Sequence, residues 1–332
     1  MLLGLSLDGG REEEGRRVEV EEEEAPQNEP RRLGIVWEGE RESSLPTHTS
    51  TINNAEIAHF SKLSSQWWDE QGEFSFLHKM NPVRVQFIRE KLLQAAYEDG
   101  VIPEDTPSTH NPLRRLDVLD VGCGGGLLSE SLARLGAHTL GIDASLSNIR
   151  IAQMHASADP KLRSTLTYFH TPAETLLTAD PKRYDVVCSM EVLEHVDNPA
   201  TFLTTCAQLV KPGGHLFLST ISRTPLAYLL TIVMAEQVLR KVSPNTHTYS
   251  KFIKPSELID FFKAYRSPID ENSEALSRPW INPNLEYPTR VEAEVRGLIY
   301  NPLQARWVLA PRDAFGATEC NYLFWVRKPN NP

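Results

Sequence analysis

Two glutamates and one histidine lie within five positions of the stretch SMEVLEHV, residues 189–196. Glu191, Glu194 and His195 combine two carboxylates with one imidazole, a set that can hold a divalent metal ion or move a proton. A turn in which Glu194 and His195 cap the following helix is the structural alternative. The surrounding elements decide between these interpretations, because they determine where each side chain points.

A second group of candidate residues lies in the stretch DVGCGGG, residues 120–126. Asp120 ends an apolar stretch, and Gly122 and Gly124 follow it. Glycine lets a backbone turn sharply and approach a ligand closely. Asp143 ends the next apolar stretch, where a carboxylate can accept hydrogen bonds from both hydroxyls of a ribose. This pattern predicts a nucleotide-type cofactor at the turn.

The spacing of the glycines separates this turn from a dinucleotide site. It follows GxGxG, whereas a dinucleotide fingerprint follows GxGxxG. Asp120 would repel a pyrophosphate but attract a cationic sulfonium or amino group. Pro-Gly-Gly at 212–214, ahead of a later strand, is frequent in S-adenosylmethionine methyltransferases. The sequence therefore predicts S-adenosylmethionine as the cofactor and makes an NAD oxidoreductase the weakest alternative.

Apolar and amphipathic stretches alternate from residue 115 to residue 220. Strands are predicted at 115–122, 138–143, 166–170, 184–190 and 213–220, with helices at 126–136, 145–157 and 199–210. Two helices at 54–68 and 81–97 precede them, and 295–302 and 320–328 are predicted to close the sheet as an antiparallel pair. This order predicts an α/β fold with a doubly wound, mostly parallel, seven-stranded sheet. The candidate residues then meet at the carboxyl edge of that sheet.

Charge divides the chain of 332 residues into two parts. Residues 1–42 carry thirteen acids and six arginines, so they hold −7 of the total charge of −10. Residues 1–50 are therefore predicted to be a disordered acidic extension, and 51–328 a single methyltransferase domain. No basic field is present to neutralise phosphates, which excludes a nucleic-acid partner. The four cysteines lack CxxC spacing, so they indicate free thiols rather than a zinc site.

The domain is predicted to have four parts: N-terminal helices over 54–97, a cofactor-binding core over 115–220, an apolar and basic segment over 222–265, and an inserted loop over 266–292. Two further residues of the core are candidates for contact with the cofactor. Glu174, with Ala173, follows the third strand and could face the adenine through backbone amides, with a plain turn as the alternative. Met190 ends the fourth strand, either beside the cofactor or as an ordinary core residue.

The chain resembles the ubiquinone-biosynthesis O-methyltransferases, a family of class I S-adenosylmethionine-dependent methyltransferases. The stretches that carry the resemblance are 56–88, 119–143, 184–199, 206–223 and 246–258, and it resumes over 297–302 and 321–326. The WWD–GEF–LH–NP–R block and the MEVLEHV block are the specific ones, since many methyltransferases share the glycine turn. Departures at 1–50, 99–114 and about 266–292 look like insertions relative to shorter bacterial members.

The resemblance implies the substrates and the cofactor contacts. Members methylate a catechol hydroxyl of 3,4-dihydroxy-5-polyprenylbenzoate and the hydroxyl of demethylubiquinol. Cofactor contacts are implied at Arg84, Gly122, Asp143 and Met190. The guanidinium of Arg84 could form two hydrogen bonds to the methionine carboxylate of the cofactor. A solvated helix arginine is the alternative.

The catechol substrate also implies a role for the cluster at 191–195. A divalent ion bound to both catechol oxygens lowers the pKa of the hydroxyl and fixes its geometry. The resemblance therefore suggests that Glu191, Glu194 and His195 hold Mg²⁺. Because Mg²⁺ prefers oxygen ligands, His195 could instead be the general base. His195 and Glu191 are the catalytic candidates.

A polyprenyl substrate leads us to expect contact with a membrane. The segment 222–242 contains an apolar run, Leu226 to Met234, followed by Arg240 and Lys241, which suits an anionic membrane surface. A buried helix covering the sheet is the alternative. No run reaches the roughly 18–20 residues of a membrane span.

The family implies a location at the matrix side of the mitochondrial inner membrane, if the protein is eukaryotic, and a complex with other quinone-biosynthesis proteins. The acidic first 42 residues do not fit a mitochondrial presequence. A misassigned start or another import route would explain this. A methyltransferase acting on another small phenol and a non-catalytic scaffold are the remaining functional alternatives.

Overall fold

A computed structural model of the chain describes residues 50–100, 111–180, 182–238, 243, 246–268 and 276–330. Its helices are Asn54–Leu63 (α1), Ser75–Glu98 (α2), Leu127–Arg134 (α3), Leu146–Ser157 (α4), Ala173–Ala179 (α5), Pro199–Leu209 (α6), Pro225–Ala227 (α7) and Pro255–Ala264 (α8). A π-type helix, Tyr228–Val238, continues directly from α7. The predicted disordered extension lies outside the described residues except for Ser50, as do Arg240 and Lys241.

The strands of the described residues form one sheet. They are Asp117–Val121 (β1), His138–Asp143 (β2), Leu166–His170 (β3), Tyr184–Met190 (β4), Val210–Ile221 (β5), Ala293–Asn301 (β6), Arg306–Leu309 (β7) and Asn321–Arg327 (β8). Their order is β3-β2-β1-β4-β5-β8-β6-β7. Strands β1 to β5 are parallel, and β6, β7 and β8 pair antiparallel. The predicted doubly wound α/β fold is therefore confirmed.

The sheet has eight strands, one more than predicted. The additional strand is β7, which pairs with β6 from Leu298 opposite Leu309 to Asn301 opposite Arg306. A turn joins the two strands, and the Asn301 side chain stabilises it by accepting from the amides of Leu303 and Gln304. The strand has only four residues, which give too little alternation to predict a strand from the sequence.

Helix α2 begins earlier than predicted. The sequence suggested that Asn81-Pro82 opens the helix, but the helix starts at Ser75 and Pro82 lies inside it. Proline in a helix interior removes one backbone hydrogen bond and normally disfavours this position. Here the first turns are packed, because Phe74 stacks on Trp67 with ring centroids 3.8 Å apart and Met80 is fully buried. Tertiary contacts thus outweigh the local preference.

The core lies on both faces of the central strands. Leu119 of β1, Val187 of β4 and Leu216 of β5 have no exposed surface, as expected for parallel strands covered by helices. The described part of the predicted insertion also contributes, since Trp280 is fully buried and donates to the Ser267 hydroxyl over 2.8 Å. Within the described residues no helix has the length and apolar character needed to cross a bilayer.

Candidate active site

A cavity of about 760 Å³ opens at the carboxyl edge of the parallel strands. Seven of the ten predicted site residues line it: Gly122, Gly124, Asp143, Glu174, Met190, Glu191 and His195. The other three, Arg84, Asp120 and Glu194, are buried behind its wall. The parallel topology explains this meeting, because β1, β2 and β4 end side by side with Asp120 in register with Gly141 and Cys188.

The glycine turn needs glycine for close packing as well as for conformation. Gly122 and Gly124 have φ of +74° and +55°, a region that other residues rarely adopt. A Cβ atom on Gly122 would lie 2.5 Å from Val192, and one on Gly124 would lie 2.3 Å from the Trp67 ring. The N-terminal part of the domain therefore packs directly onto this turn.

Two neighbouring tryptophans make that packing specific. The indole of Trp67 lines the cavity and donates to the Asn148 side chain over 3.0 Å. The indole of Trp68 donates to the carbonyl of Gly125, also over 3.0 Å. The WWD block thus covers the crevice between the glycine turn and helix α4.

Asp143 joins the turns after β1 and β2. One carboxylate oxygen accepts from the amide of Gly124 over 2.9 Å, and the other accepts from the amide of Ser145 over 2.7 Å. Burial raises the pKa of Asp143, although these two donors oppose the shift. The carboxylate remains in the cavity wall with lone pairs to spare, so contact with a ribose stays a prediction.

Asp120 and Arg84 form a buried charged layer behind the cavity. Asp120 accepts from the Ser129 hydroxyl over 2.5 Å, and burial raises the pKa of its carboxyl to about 6. Arg84 is only 4% exposed, so the alternative of a solvated helix arginine is wrong. Its Nη2 lies 3.3 Å from Glu191 Oε1. Both Nε and Nη2 lack a hydrogen-bond acceptor among the described residues.

Glu191 has an unusual backbone conformation. Its φ is +57°, in the left-handed region, which costs a residue with a side chain about 1–2 kcal/mol. The amide of Glu191 donates to the Ser219 carbonyl over 3.0 Å, and its carboxylate accepts from the Ser219 hydroxyl over 2.6 Å. Strain of this kind is concentrated at functional sites. The turn holds the carboxylate against the cavity at the end of β4.

Glu194 points away from the cavity. It is 3% exposed, and its carboxylate accepts from the Thr220 hydroxyl over 2.8 Å. Burial, together with the nearby charge of Glu191, raises the pKa of Glu194 to about 8. Both causes favour the neutral form of the Glu194 carboxyl.

His195 lies in the cavity wall with a carboxylate partner. Its Nδ1 is 3.1 Å from Glu56 Oε2, and its ring meets the Phe60 ring edge-on with centroids 4.9 Å apart. Because a carboxylate only accepts, Nδ1 donates and the neutral ring keeps Nε2 as an acceptor. Burial lowers the pKa of His195, so the neutral form is favoured.

Neither Glu194 nor His195 caps the following helix. The N-cap of α6 is Asn198, whose side chain accepts from the amide of Thr201 over 3.0 Å. The capping alternative for the cluster is therefore wrong. Met190 belongs to the main core and its side chain also lines the cavity, so its contact with the cofactor stays a prediction.

The predicted magnesium ligands do not converge on one point. Glu191 interacts with Arg84 and Ser219, Glu194 with Thr220, and His195 with Glu56. Across the described ranges, no group of three His, Cys, Asp or Glu side chains is arranged to hold a metal ion. The turn after β4 directs the three side chains to different protein partners, so magnesium binding by this trio stays a prediction.

Several residues of the cavity escaped prediction. Glu56 lies on α1, 139 positions before its partner His195. His247 also lines the cavity, and its Nδ1 lies 2.7 Å from Oε1 of buried Glu236. Glu174 accepts from both the amide and the hydroxyl of Thr51. Their distance along the chain hid these pairings, since no local pattern marks a contact made through the fold.

The cavity wall becomes apolar away from the glycine turn. Leu226, Leu230 and Met234 line it from α7 and the π-type helix, and Trp307 lines it from β7. Leu226 and Leu230 are each 45% exposed. The segment is only partly buried, because Ala227 packs with Ile221 of β5 while Leu226 and Leu230 face the cavity and solvent.

The fold and the site define a methyltransferase. The sequence profile of a family described as Methyltransferase domain matches residues 85–265. The chain is 39% identical over 266 residues to the ubiquinone biosynthesis O-methyltransferase of Cereibacter sphaeroides, which covers 80% of this chain and 94% of that protein. It belongs to the ubiquinone biosynthesis O-methyltransferases and is an S-adenosylmethionine-dependent O-methyltransferase.

Two eukaryotic relatives are similarly close. The mitochondrial ubiquinone biosynthesis O-methyltransferase of Schizosaccharomyces pombe is 40% identical over 288 residues, covering 86% of this chain and 90% of that protein. The mitochondrial relative of Arabidopsis thaliana is 38% identical over 281 residues, covering 85% of this chain and 77% of that protein. The predicted family, the cofactor S-adenosylmethionine and the reaction class are confirmed, and the NAD oxidoreductase alternative is wrong.

Proposed function

We propose that this enzyme transfers the methyl group of S-adenosylmethionine to a catechol hydroxyl of 3,4-dihydroxy-5-polyprenylbenzoate and to the hydroxyl of demethylubiquinol. The observation that supports this proposal is one continuous cavity that joins the glycine turn to the exposed apolar wall. A volume of about 760 Å³ suits a cofactor and an aromatic ring. The apolar wall offers the first part of a prenyl tail a path to the surface.

The cofactor is proposed to lie along the glycine turn. Its ribose would face Asp143, its adenine the backbone at Glu174, and its sulfonium the end of β4 beside Met190. Arg84 is proposed to approach the methionine carboxylate, which would supply the acceptor that its buried nitrogens lack. Glu191 then acts as a positioning residue, because its carboxylate holds the guanidinium from the cavity side.

His195 is proposed to be the general base. Its neutral ring, oriented by Glu56, accepts the proton of the substrate hydroxyl at Nε2 as the oxygen attacks the methyl carbon. The carbon–sulfur bond of the cofactor breaks, and its electron pair stays on sulfur in S-adenosylhomocysteine. The protein contributes mainly by holding the oxygen in line with that bond. Magnesium dependence was predicted from the family resemblance, and no step here requires the ion.

The surroundings of the substrate are also proposals. We place the enzyme at a membrane surface, since Tyr228 and Leu229 are exposed apolar residues in the same segment as Leu226 and Leu230 of the cavity wall. The two relatives named as mitochondrial support a mitochondrial location. We further propose that the enzyme lies at the matrix face of the inner membrane and has partners in a quinone-synthesis complex.

Methyl-transfer assays on matched substrates test the proposed function. A prenylated 3,4-dihydroxybenzoate should exceed the same ring without its tail by at least about tenfold in kcat/KM, since each buried methylene contributes about 0.8 kcal/mol. The assay is repeated after chelation and after restoring Mg²⁺. Turnover of soluble catechols but not of prenylated ones would instead favour a methyltransferase of another phenol.

A further inference from the structure

A second histidine faces the cavity with the same kind of support as His195. Both His195 and His247 line the cavity, with ring centroids 6.1 Å apart. The Nδ1 atom of each ring contacts a glutamate, at 3.1 Å for Glu56 and 2.7 Å for Glu236. The carboxylate fixes each tautomer, so each ring retains Nε2 as an acceptor.

The support of His247 is the more rigid of the two. Glu236 is 2% exposed, and the same carboxylate oxygen also accepts from the backbone amide of His247 over 3.0 Å. Two hydrogen bonds to one acceptor fix both the ring and its backbone. Burying a carboxylate is unfavourable unless it is paired, so a role in packing alone does not explain the presence of this pair. His195 and Glu56 alone would suffice for a single proton transfer.

We propose that His247 is a second substrate-binding residue, whose Nε2 accepts a hydrogen bond from the ring hydroxyl next to the one being methylated. This inference rests on the proposed function, and it adds the residue that recognises the second of the two neighbouring hydroxyls. Two imidazoles about 6 Å apart can each contact one oxygen of such a pair. His195 takes the proton of one oxygen while His247 holds the other.

The arrangement predicts how the enzyme discriminates between substrates. A site that hydrogen-bonds a substrate hydroxyl strongly rejects analogues that lack it, because its buried polar group is left unpaired. A neighbouring methoxy group or hydrogen atom offers Nε2 of His247 no donor. The acceptor hydroxyl is therefore methylated efficiently only beside a second free hydroxyl.

The location of Glu236 connects this contact with the apolar segment. Glu236 lies on the π-type helix whose other residues, Leu230 and Met234, form the apolar wall of the cavity. The same helix thus contacts the prenyl tail through its apolar side chains and orients the histidine that holds the ring. Binding of the tail and positioning of the ring are coupled through one element.

A pair of substrates and two variants test the proposal. Prenylated 3,4-dihydroxybenzoate is compared with the prenylated ring that carries only the 3-hydroxyl. His247→Leu should lower kcat/KM for the dihydroxy substrate by about 10- to 100-fold, with less than about a threefold change for the monohydroxy substrate. His247→Gln, which restores an acceptor, should recover part of the loss. Equal losses on both substrates would show a structural role and overturn the proposal.

Ligand binding separates this proposal from the proposed function. Soluble 3,4-dihydroxybenzoate and 3-hydroxybenzoate are titrated by calorimetry into protein saturated with S-adenosylhomocysteine. The wild-type protein should prefer the dihydroxy ligand at least about tenfold, and His247→Leu should abolish the preference. A preference retained in the variant would overturn the role of His247, even where turnover of prenylated substrates fails. Unchanged S-adenosylhomocysteine affinity in the variant verifies its fold.

Discussion

His195 gains its chemical properties from neighbours that are remote in sequence. Burial lowers its pKa, while the Glu56 carboxylate opposes that shift and His247 reinforces it. The result is an imidazole that stays neutral at physiological pH and is oriented at Nδ1. A general base needs both properties, since it must be unprotonated and aimed at the proton it removes.

The pH profile of the enzyme should reflect this environment. We expect kcat/KM to fall as pH decreases through the pKa of His195, at a midpoint below its ordinary value of 6.5. Glu56→Gln removes an interaction that raises the pKa, so its acidic limb should move to still lower pH. His195→Gln should lower kcat by about 10²–10⁴ and lose this limb. An unchanged profile in His195→Gln would contradict the assignment.

Asp120 is a buried carboxylate whose charge opposes folding. Burial raises its pKa from 3.8 to about 6, so its ionised form is disfavoured in the folded protein. Its contribution to the free energy of unfolding is fully present below pH 3.8 and is lost as pH rises through about 6. At neutral pH the ionised carboxylate therefore destabilises the fold.

Asp120→Asn should consequently stabilise the protein without cofactor. Asparagine can still accept from the Ser129 hydroxyl but carries no charge. We expect a gain on the order of 2 kcal/mol at pH 7.5 and little change near pH 4, measured by chemical denaturation at both values. The variant should also bind S-adenosylmethionine more weakly. A loss of stability at pH 7.5 would contradict this account of the buried charge.

Among the elements, the glycine turn depends on the segment that covers it. Trp67 approaches Gly124 so closely that a side chain cannot fit between them. The turn is therefore shaped from two sides, by Asp143 through its amide hydrogen bond and by the Trp67 ring.

Gly124→Ala should disturb both the turn and its cover. A Cβ atom would lie 2.3 Å from the Trp67 ring, at a φ of +55°. We expect a large loss of stability and weaker S-adenosylmethionine binding, measured by thermal unfolding and calorimetry. Gly100→Ala is the matched control, because Gly100 has a φ of +67° with nothing within 4 Å. It should cost only about 1–2 kcal/mol, and equal effects of the two variants would refute the role of Trp67.

At the scale of the whole molecule, the cavity extends from the glycine turn to an apolar surface. Its polar end lies at the carboxyl edge of the sheet, and its other end lies among exposed apolar side chains of the segment Leu226–Met234. Large exposed apolar patches commonly mark interaction surfaces. A membrane at this face would deliver the substrate with its ring toward the cofactor and its tail still in lipid.

Vesicle flotation tests this orientation. Tyr228→Ser combined with Leu229→Ser should reduce binding to anionic vesicles several-fold, because 44% and 48% of these side chains are exposed. The double variant should raise KM for prenylated substrate while leaving turnover of a soluble catechol unchanged. Tyr97→Ser, on an 85% exposed tyrosine of α2, is the control and should bind vesicles normally. Equal vesicle binding by the wild type, the double variant and Tyr97→Ser would contradict membrane contact at this face.

The sequence by itself determined the parallel core, the glycine turn and the reaction class. These features come from local signals: alternating apolar stretches, glycines after a strand, and carboxylates at strand ends. It also placed Asp143, Met190 and His195 correctly at the cavity, since parallel topology brings the carboxyl ends of β2 and β4 to one edge. Hydrophobic periodicity and strand direction suffice for such conclusions.

Only the tertiary structure decided the partners of each side chain. Glu191, Glu194 and His195 are close in sequence but interact with Arg84, Thr220 and Glu56, respectively, and the local sequence does not indicate these partners. Likewise, nothing local pairs His247 with the cavity opposite His195. The direction of a side chain depends on contacts between distant segments and on backbone conformations such as the left-handed turn at Glu191, and local sequence patterns do not encode either of these.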